Sequence, residues 1–86
     1  MKLESNILTI REKEILQALF DSDDNMALVA EKLVISINTI KTHRDHIFKK
    51  FFVSSISGAF RAGLALNLIN LPMSLETHPP LILQKI

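Results

Sequence analysis

Apolar residues recur at helical spacing in four separate stretches of this 86-residue chain. In the first, Ile15, Leu16 and Leu19, with Phe20 at the margin, share one face behind the opening Thr9-Ile10-Arg11-Glu12. A Thr with a Glu three residues later is a capping box, each side chain bonding the other's backbone N–H. A helix is therefore expected from about Ile10 to Phe20. Asp21-Ser22-Asp23-Asp24 ends it, because such side chains compete with helical backbone bonds. Asn25 caps a second helix, about Met26 to Leu33, with Val29, Ala30 and Leu33 inward. Val34-Ile35 connects to Ser36, the N-cap of a third helix running to about Phe51. After a turn, Ser55 or Ser57 caps a fourth, about Ile56 to Leu68, which Asn70-Leu71-Pro72 stops. The expected organisation is a leader over 1–7, one all-α domain over 8–70, and an extended apolar tail over 71–86. That tail carries Pro79-Pro80 and Leu81-Ile82-Leu83.

The third stretch is two-sided. Ile40, Ile47 and Phe51, with Phe48 beside them, form a core stripe. Asn38, Lys41, Thr42, Asp45 and Lys49 fall opposite, at i, i+3, i+4, i+7 and i+11. Heads of this kind read base edges in a major groove, although a solvated face on an ordinary amphipathic helix has the same pattern. What precedes the stretch favours the first reading. Two short helices joined by a tight turn, the second polar on its far side, are a helix-turn-helix arrangement.

A 48% hydrophobic content is that of a folded chain. The absence of cysteine excludes disulfides and thiolate metal sites, and a reducing cytoplasm suits it. No signal peptide is visible, and no apolar run reaches membrane-spanning length. The formal net charge is only +1, but it is unevenly spread. Up to Ala30, three basic residues meet six acidic ones; from Glu31 to Arg61, six basic residues meet two acidic ones. The positive charge belongs to the third helix and its flanks, where a polyanion would dock.

The residues then point to a family. Leu8-Thr9-x-Arg11-Glu12-x-Glu14-Ile15-Leu16, followed by Ala30-Glu31-Lys32-Leu33-x-Ile35-Ser36-x-x-Thr39-Ile40-Lys41-Thr42-His43-Arg44-x-x-Ile47, resembles the LuxR/GerE/FixJ-type helix-turn-helix. Lys49-Lys50 and Val53-Ser54-Ser55 continue the match. The resemblance implies a four-helix domain of a bacterial transcription regulator that binds double-stranded DNA as a homodimer, its third helix in the major groove. It implies base contact from Asn38, Lys41, Thr42 and Asp45. It implies phosphate contact from Thr39, His43, Arg44, Lys49 and Lys50. RNA polymerase or a second regulator is a further partner to expect for this chain. The family pairs subunits through the fourth helix, where Ala59, Ala62, Gly63 and Leu66 make a narrow row at i, i+3, i+4 and i+7. The alternative is that this row packs against the first helix.

The chain departs from the family's pattern in places. The turn after the first helix is a residue longer and carries Asp-Ser-Asp-Asp where a Gly is expected. Met26-Ala27-Leu28 replaces polar residues, and Phe52 stands at a helix-end position that normally takes positive φ. Leu28, Phe52 and the apolar tail support a rival reading, a helix-turn-helix module that pairs with another regulator and binds DNA weakly or not at all.

Other chemistry is not expected. His43 and His46 are three apart and could share a metal, with His78 a distant third, but no further ligand is placed with them, so no metal or cofactor is assigned. Two glycines in the whole chain leave no phosphate-cradling loop, and capping and solvation account for Glu12 and Glu14, so no enzyme is read here. The expected location is the cytoplasm, on the nucleoid. The length admits no receiver or sensing domain beside the helices, so the chain is either a stand-alone effector or part of a longer regulator.

Overall fold

The computed structural model describes residues 7–71; the expected leader over 1–7, apart from Ile7, and the expected tail over 71–86, apart from Leu71, lie outside the described residues. Among the described residues four helices follow in order: α1 (Ile10–Asp21), α2 (Met26–Leu33), α3 (Ile37–Phe51) and α4 (Ile56–Ala65). No strand occurs among the described residues.

Each helix begins where a side chain satisfies backbone donors that the first turn leaves unpaired. At α1 the capping box is complete. Glu12 N–H donates to Thr9 Oγ1 at 3.1 Å, and Thr9 N–H donates to Glu12 Oε1 at 2.9 Å. Asn25 accepts from Leu28 N–H at 3.0 Å, Ser36 from Thr39 N–H at 3.0 Å, and Ser55 from Gly58 N–H at 3.2 Å.

The helix ends share a second device. The chain passes through a left-handed residue at Asp23, Val34, Phe52 and Asn67, with φ between 57° and 61°, and none of the four is glycine. At each, two backbone N–H groups reach back to close the last turn, as Phe52 N–H does to Lys49 O and Val53 N–H to Phe48 O. Phe52, the departure at the end of α3, therefore takes the positive φ expected at that position. A left-handed L-residue costs about 1–2 kcal/mol, and for β-branched Val34 the conformation is a true outlier. Asp23 and Asp24 (φ 60° and 64°) tolerate it better, which is how the longer acidic turn replaces a glycine.

Two apolar clusters meet along α1. Ile15 and Leu19 pack with Val29, Ala30 and Ile40 on the α2 side. Leu16 packs with Leu8, Ile47, Ala59 and Ile69 on the α4 side. α3 serves both, through Ile40 near its start and Ile47 near its end. Phe60 of α4 touches both clusters and meets Phe20 edge-on at 5.1 Å.

The fourth helix is shorter than expected, closing at Ala65 instead of Leu68. Leu68 N–H bonds back to Gly63 O at 2.8 Å, which turns the chain so that Ile69 enters the core, 2% exposed. Gln17 of α1 then fixes the exit, donating to Asn70 O and accepting from Asn70 N–H at 2.9 and 2.8 Å.

Candidate nucleic-acid interface

The inner face of α3 is anchored by Ile40 and Ile47, which are 0% and 1% exposed. With that face fixed, helical spacing forces the residues opposite into solvent. Asn38, Lys41, Thr42 and Asp45 are all exposed, as are Thr39, His46 and Lys49. Thr42 donates its hydroxyl to Asn38 O at 3.0 Å, which leaves the Thr42 oxygen lone pairs facing outward as acceptors. Lys41, Asp45 and Lys49 follow at intervals of four and form no ion pair among the described residues. The face thus offers two unpaired ammonium groups with a carboxylate between them.

The residues flanking this face are differently placed. Thr39 shares a hydrogen bond with Ser36 at 2.9 Å between hydroxyl oxygens. His43 is half-buried. Arg44 and Lys50, both expected at phosphates, are engaged inside the domain. Arg44 forms a two-pronged bond with Asp24, Nε to Oδ1 at 3.2 Å and Nη2 to Oδ2 at 2.8 Å, and its guanidinium lies over the Phe48 ring. The planar fork suits a carboxylate, so the acidic turn between α1 and α2 is clamped to α3. Lys50 reaches Glu12 at 2.7 Å across from α1. The positive charge that the sequence concentrates on α3 is therefore partly neutralised by acids of the preceding segment.

Glu12 is the one buried charged residue of the described chain, at 4% exposure. Burial pushes its carboxyl pKa up, but bonds from the Lys50 ammonium and the Thr9 N–H, with the charges of Lys50 and His43, outweigh that and hold it below the ordinary value. Its capping role was legible in the sequence; its ion pair with a residue 38 positions away was not. Arg11 pairs with exposed Glu14 at 3.2 Å.

The row on α4 divides. Ala59 is 0% exposed, and Gly63 is buried. A Cβ on Gly63 would lie 3.0 Å from Leu16 Cδ2 and 3.1 Å from Ile69 Cδ1. These two small residues face the domain's own core and not a seam between subunits, which corrects the expectation for both. Ala62 is half-buried and Leu66 is 36% exposed, so only that part of the row keeps surface. Leu28 at 40% and Phe52 at 94% are exposed apolar side chains, as the departures suggested. Among the described residues no helix is long and apolar enough to cross a membrane.

Known proteins match this sequence. The family described as bacterial regulatory proteins, luxR family (GerE), matches residues 6–62. Over 52 residues, 60% of the chain, the sequence is 48% identical to the probable csgAB operon transcriptional regulatory protein of Salmonella typhimurium. It is 48% identical over the same length to the CsgBAC operon transcriptional regulatory protein of Escherichia coli. The match spans 24% of the length of each relative. No solved structure matches the chain.

Proposed function

The chain belongs to the luxR family of bacterial regulatory proteins, and from that premise we propose that it is a sequence-specific DNA-binding transcriptional regulator acting as a dimer. Membership places it among regulators and not enzymes. The observation that carries the proposal is the outer face of α3, which is polar, exposed and held rigidly by the two isoleucines behind it.

In this reading α3 lies in the major groove of double-stranded DNA. Asn38, Lys41 and Thr42 present donors and acceptors to base edges, and Asp45 accepts from a cytosine amino group. Lys49 with Thr39 and His43 meets the phosphates, which set register without carrying sequence information. Arg44 and Lys50 position α3 through Asp24 and Glu12, and reach phosphate only by exchanging those carboxylates for it. Subunits pair through the exposed part of α4 around Leu66, with recognition helices about 34–36 Å apart, one turn of DNA. The relatives' role in operon regulation is proposed in kind for this chain, with contact to RNA polymerase or a second regulator. Its place is the cytoplasm, on the nucleoid.

A second reading is favoured by the neutralised Arg44 and Lys50 and by the exposed Leu28 and Phe52. It takes the domain as a module that pairs with another regulator. Fluorescence anisotropy of a labelled random duplex at several salt concentrations separates the two. DNA binding gives log K falling against log salt by about 0.9 for each phosphate neutralised. A flat response, or no binding at low salt, favours the interaction module.

A further inference from the structure

His43 and His46 lie three residues apart on α3, and the fold brings a third potential ligand to them. One donor atom each from Glu12, His43 and His46 lies within 4.8 Å of the other two. Glu12 is buried, His43 half-buried and His46 exposed, so the cluster is rooted in the domain and open to water on one side.

Donor atoms there stand idle. Both hydrogen bonds to the Glu12 carboxylate, from Thr9 N–H and from Lys50 Nζ, fall on Oε1, which leaves Oε2 without a partner among the described residues. His43 Nδ1 is buried and has no hydrogen-bond partner among the described residues. A buried polar atom without a partner is destabilising and uncommon in folded proteins.

We propose that Glu12, His43 and His46 form a binding site for a divalent transition-metal ion of the zinc class. Two imidazole nitrogens and a carboxylate oxygen are a donor set that such ions take, with the remaining position left to water. Magnesium and calcium prefer oxygen ligands throughout and are not favoured. Donor atoms within 4.8 Å of one another are close enough to converge on one ion by side-chain rotation, and the exposed His46 is the freest of the three to move. Lys50 opposes the ion, since its ammonium already sits 2.7 Å from Glu12. Its side chain is 38% exposed and can swing into water when the ion enters.

The test is a zinc titration of the full chain, followed by calorimetry and by the imidazole NMR signals. One equivalent is expected to bind saturably, shifting the signals of His43 and His46. His46→Ala should weaken binding at least about tenfold, the scale of lesser changes around a bound metal. His78→Ala should leave it unchanged. Lys50→Ala should tighten binding and enlarge the rise in melting temperature that zinc produces, because it removes the competing cation. The proposal is overturned by the absence of saturable binding at micromolar zinc. Parental affinity in His46→Ala or in Lys50→Ala, or loss of binding in His78→Ala, overturns it equally.

Discussion

The outer face of α3 and the small-residue row of α4 were both laid out by helical spacing, yet they meet different fates in the fold. Asn38, Lys41, Thr42 and Asp45 all reach solvent, whereas Ala59 and Gly63 turn into the core and Leu66 stays outside. Polarity accounts for the difference. Burying an ammonium or a carboxylate without a partner is so costly that a face of such heads fixes its own direction. Alanine and glycine are accepted in either place, so a row of them says that something approaches closely but not what. On α4 the close neighbours are Leu16 and Ile69 of the same chain.

The largest expected effect tests the buried half of that row. Gly63→Glu places a carboxylate against Leu16 and Ile69, and should lower unfolding free energy by about 3 kcal/mol or more in a denaturant titration. Parental stability together with lost self-association would return Gly63 to a subunit seam. Leu66→Glu, on the exposed half, should stay within about 0.5 kcal/mol of parental stability. If α4 pairs subunits, that variant should sediment as a monomer.

Next come changes on the polar face. Lys41→Ala and Thr42→Ala should each alter the preferred base pair at one position, by about 1–3 kcal/mol, in a selection from a random duplex pool. Lys49→Ala should weaken all sequences alike. An unaltered preference in Lys41→Ala, with uniformly weaker binding, would move Lys41 from the bases to the backbone.

A smaller effect is expected where α3 ends. Phe52 is exposed and left-handed, so Phe52→Gly should raise stability by about 1 kcal/mol through relief of the backbone, with little packing to lose. Val34→Gly should act in the same direction after α2. Melting curves of the two variants give the answer, and a lower melting temperature would show that the freedom glycine adds to the unfolded chain outweighs the strain it relieves.

The smallest concerns pH. Because the folded pKa of Glu12 lies below its ordinary value, its contribution is fully present above the ordinary glutamate range. It is lost as the pH falls through the folded value, so the affected window lies at and below about pH 4.3. Glu12→Gln should flatten that part of the stability curve. An equally steep acid limb in the variant would assign it to other carboxylates.

What was legible in the sequence was mostly local. Thr9, Asn25 and Ser36 cap their helices as expected because a cap spans three residues and depends on little else, and Ser55, not Ser57, proved to be the fourth. The end of α4 was not legible, since Leu66-Asn67-Leu68 suits a helix well enough. What ends it is distant: Ile69 belongs beneath Gly63, and Asn70 is tied to Gln17. The pairs Arg44–Asp24 and Lys50–Glu12 were hidden for the same reason, being 20 and 38 residues apart. One signal did point to the first of them. An acidic turn in place of a glycine, ahead of a basic helix, invites a clamp between the two.

The account rests on which surface meets DNA, and NMR mapping of backbone amides during titration with a double-stranded oligonucleotide tests that directly. The predicted result is that the largest shifts fall on α3 at Asn38, Lys41, Thr42, Asp45 and Lys49, while α4 from Ile56 to Ala65 is nearly silent at a single site. Shifts concentrated on α4, or none anywhere at low salt, would contradict it.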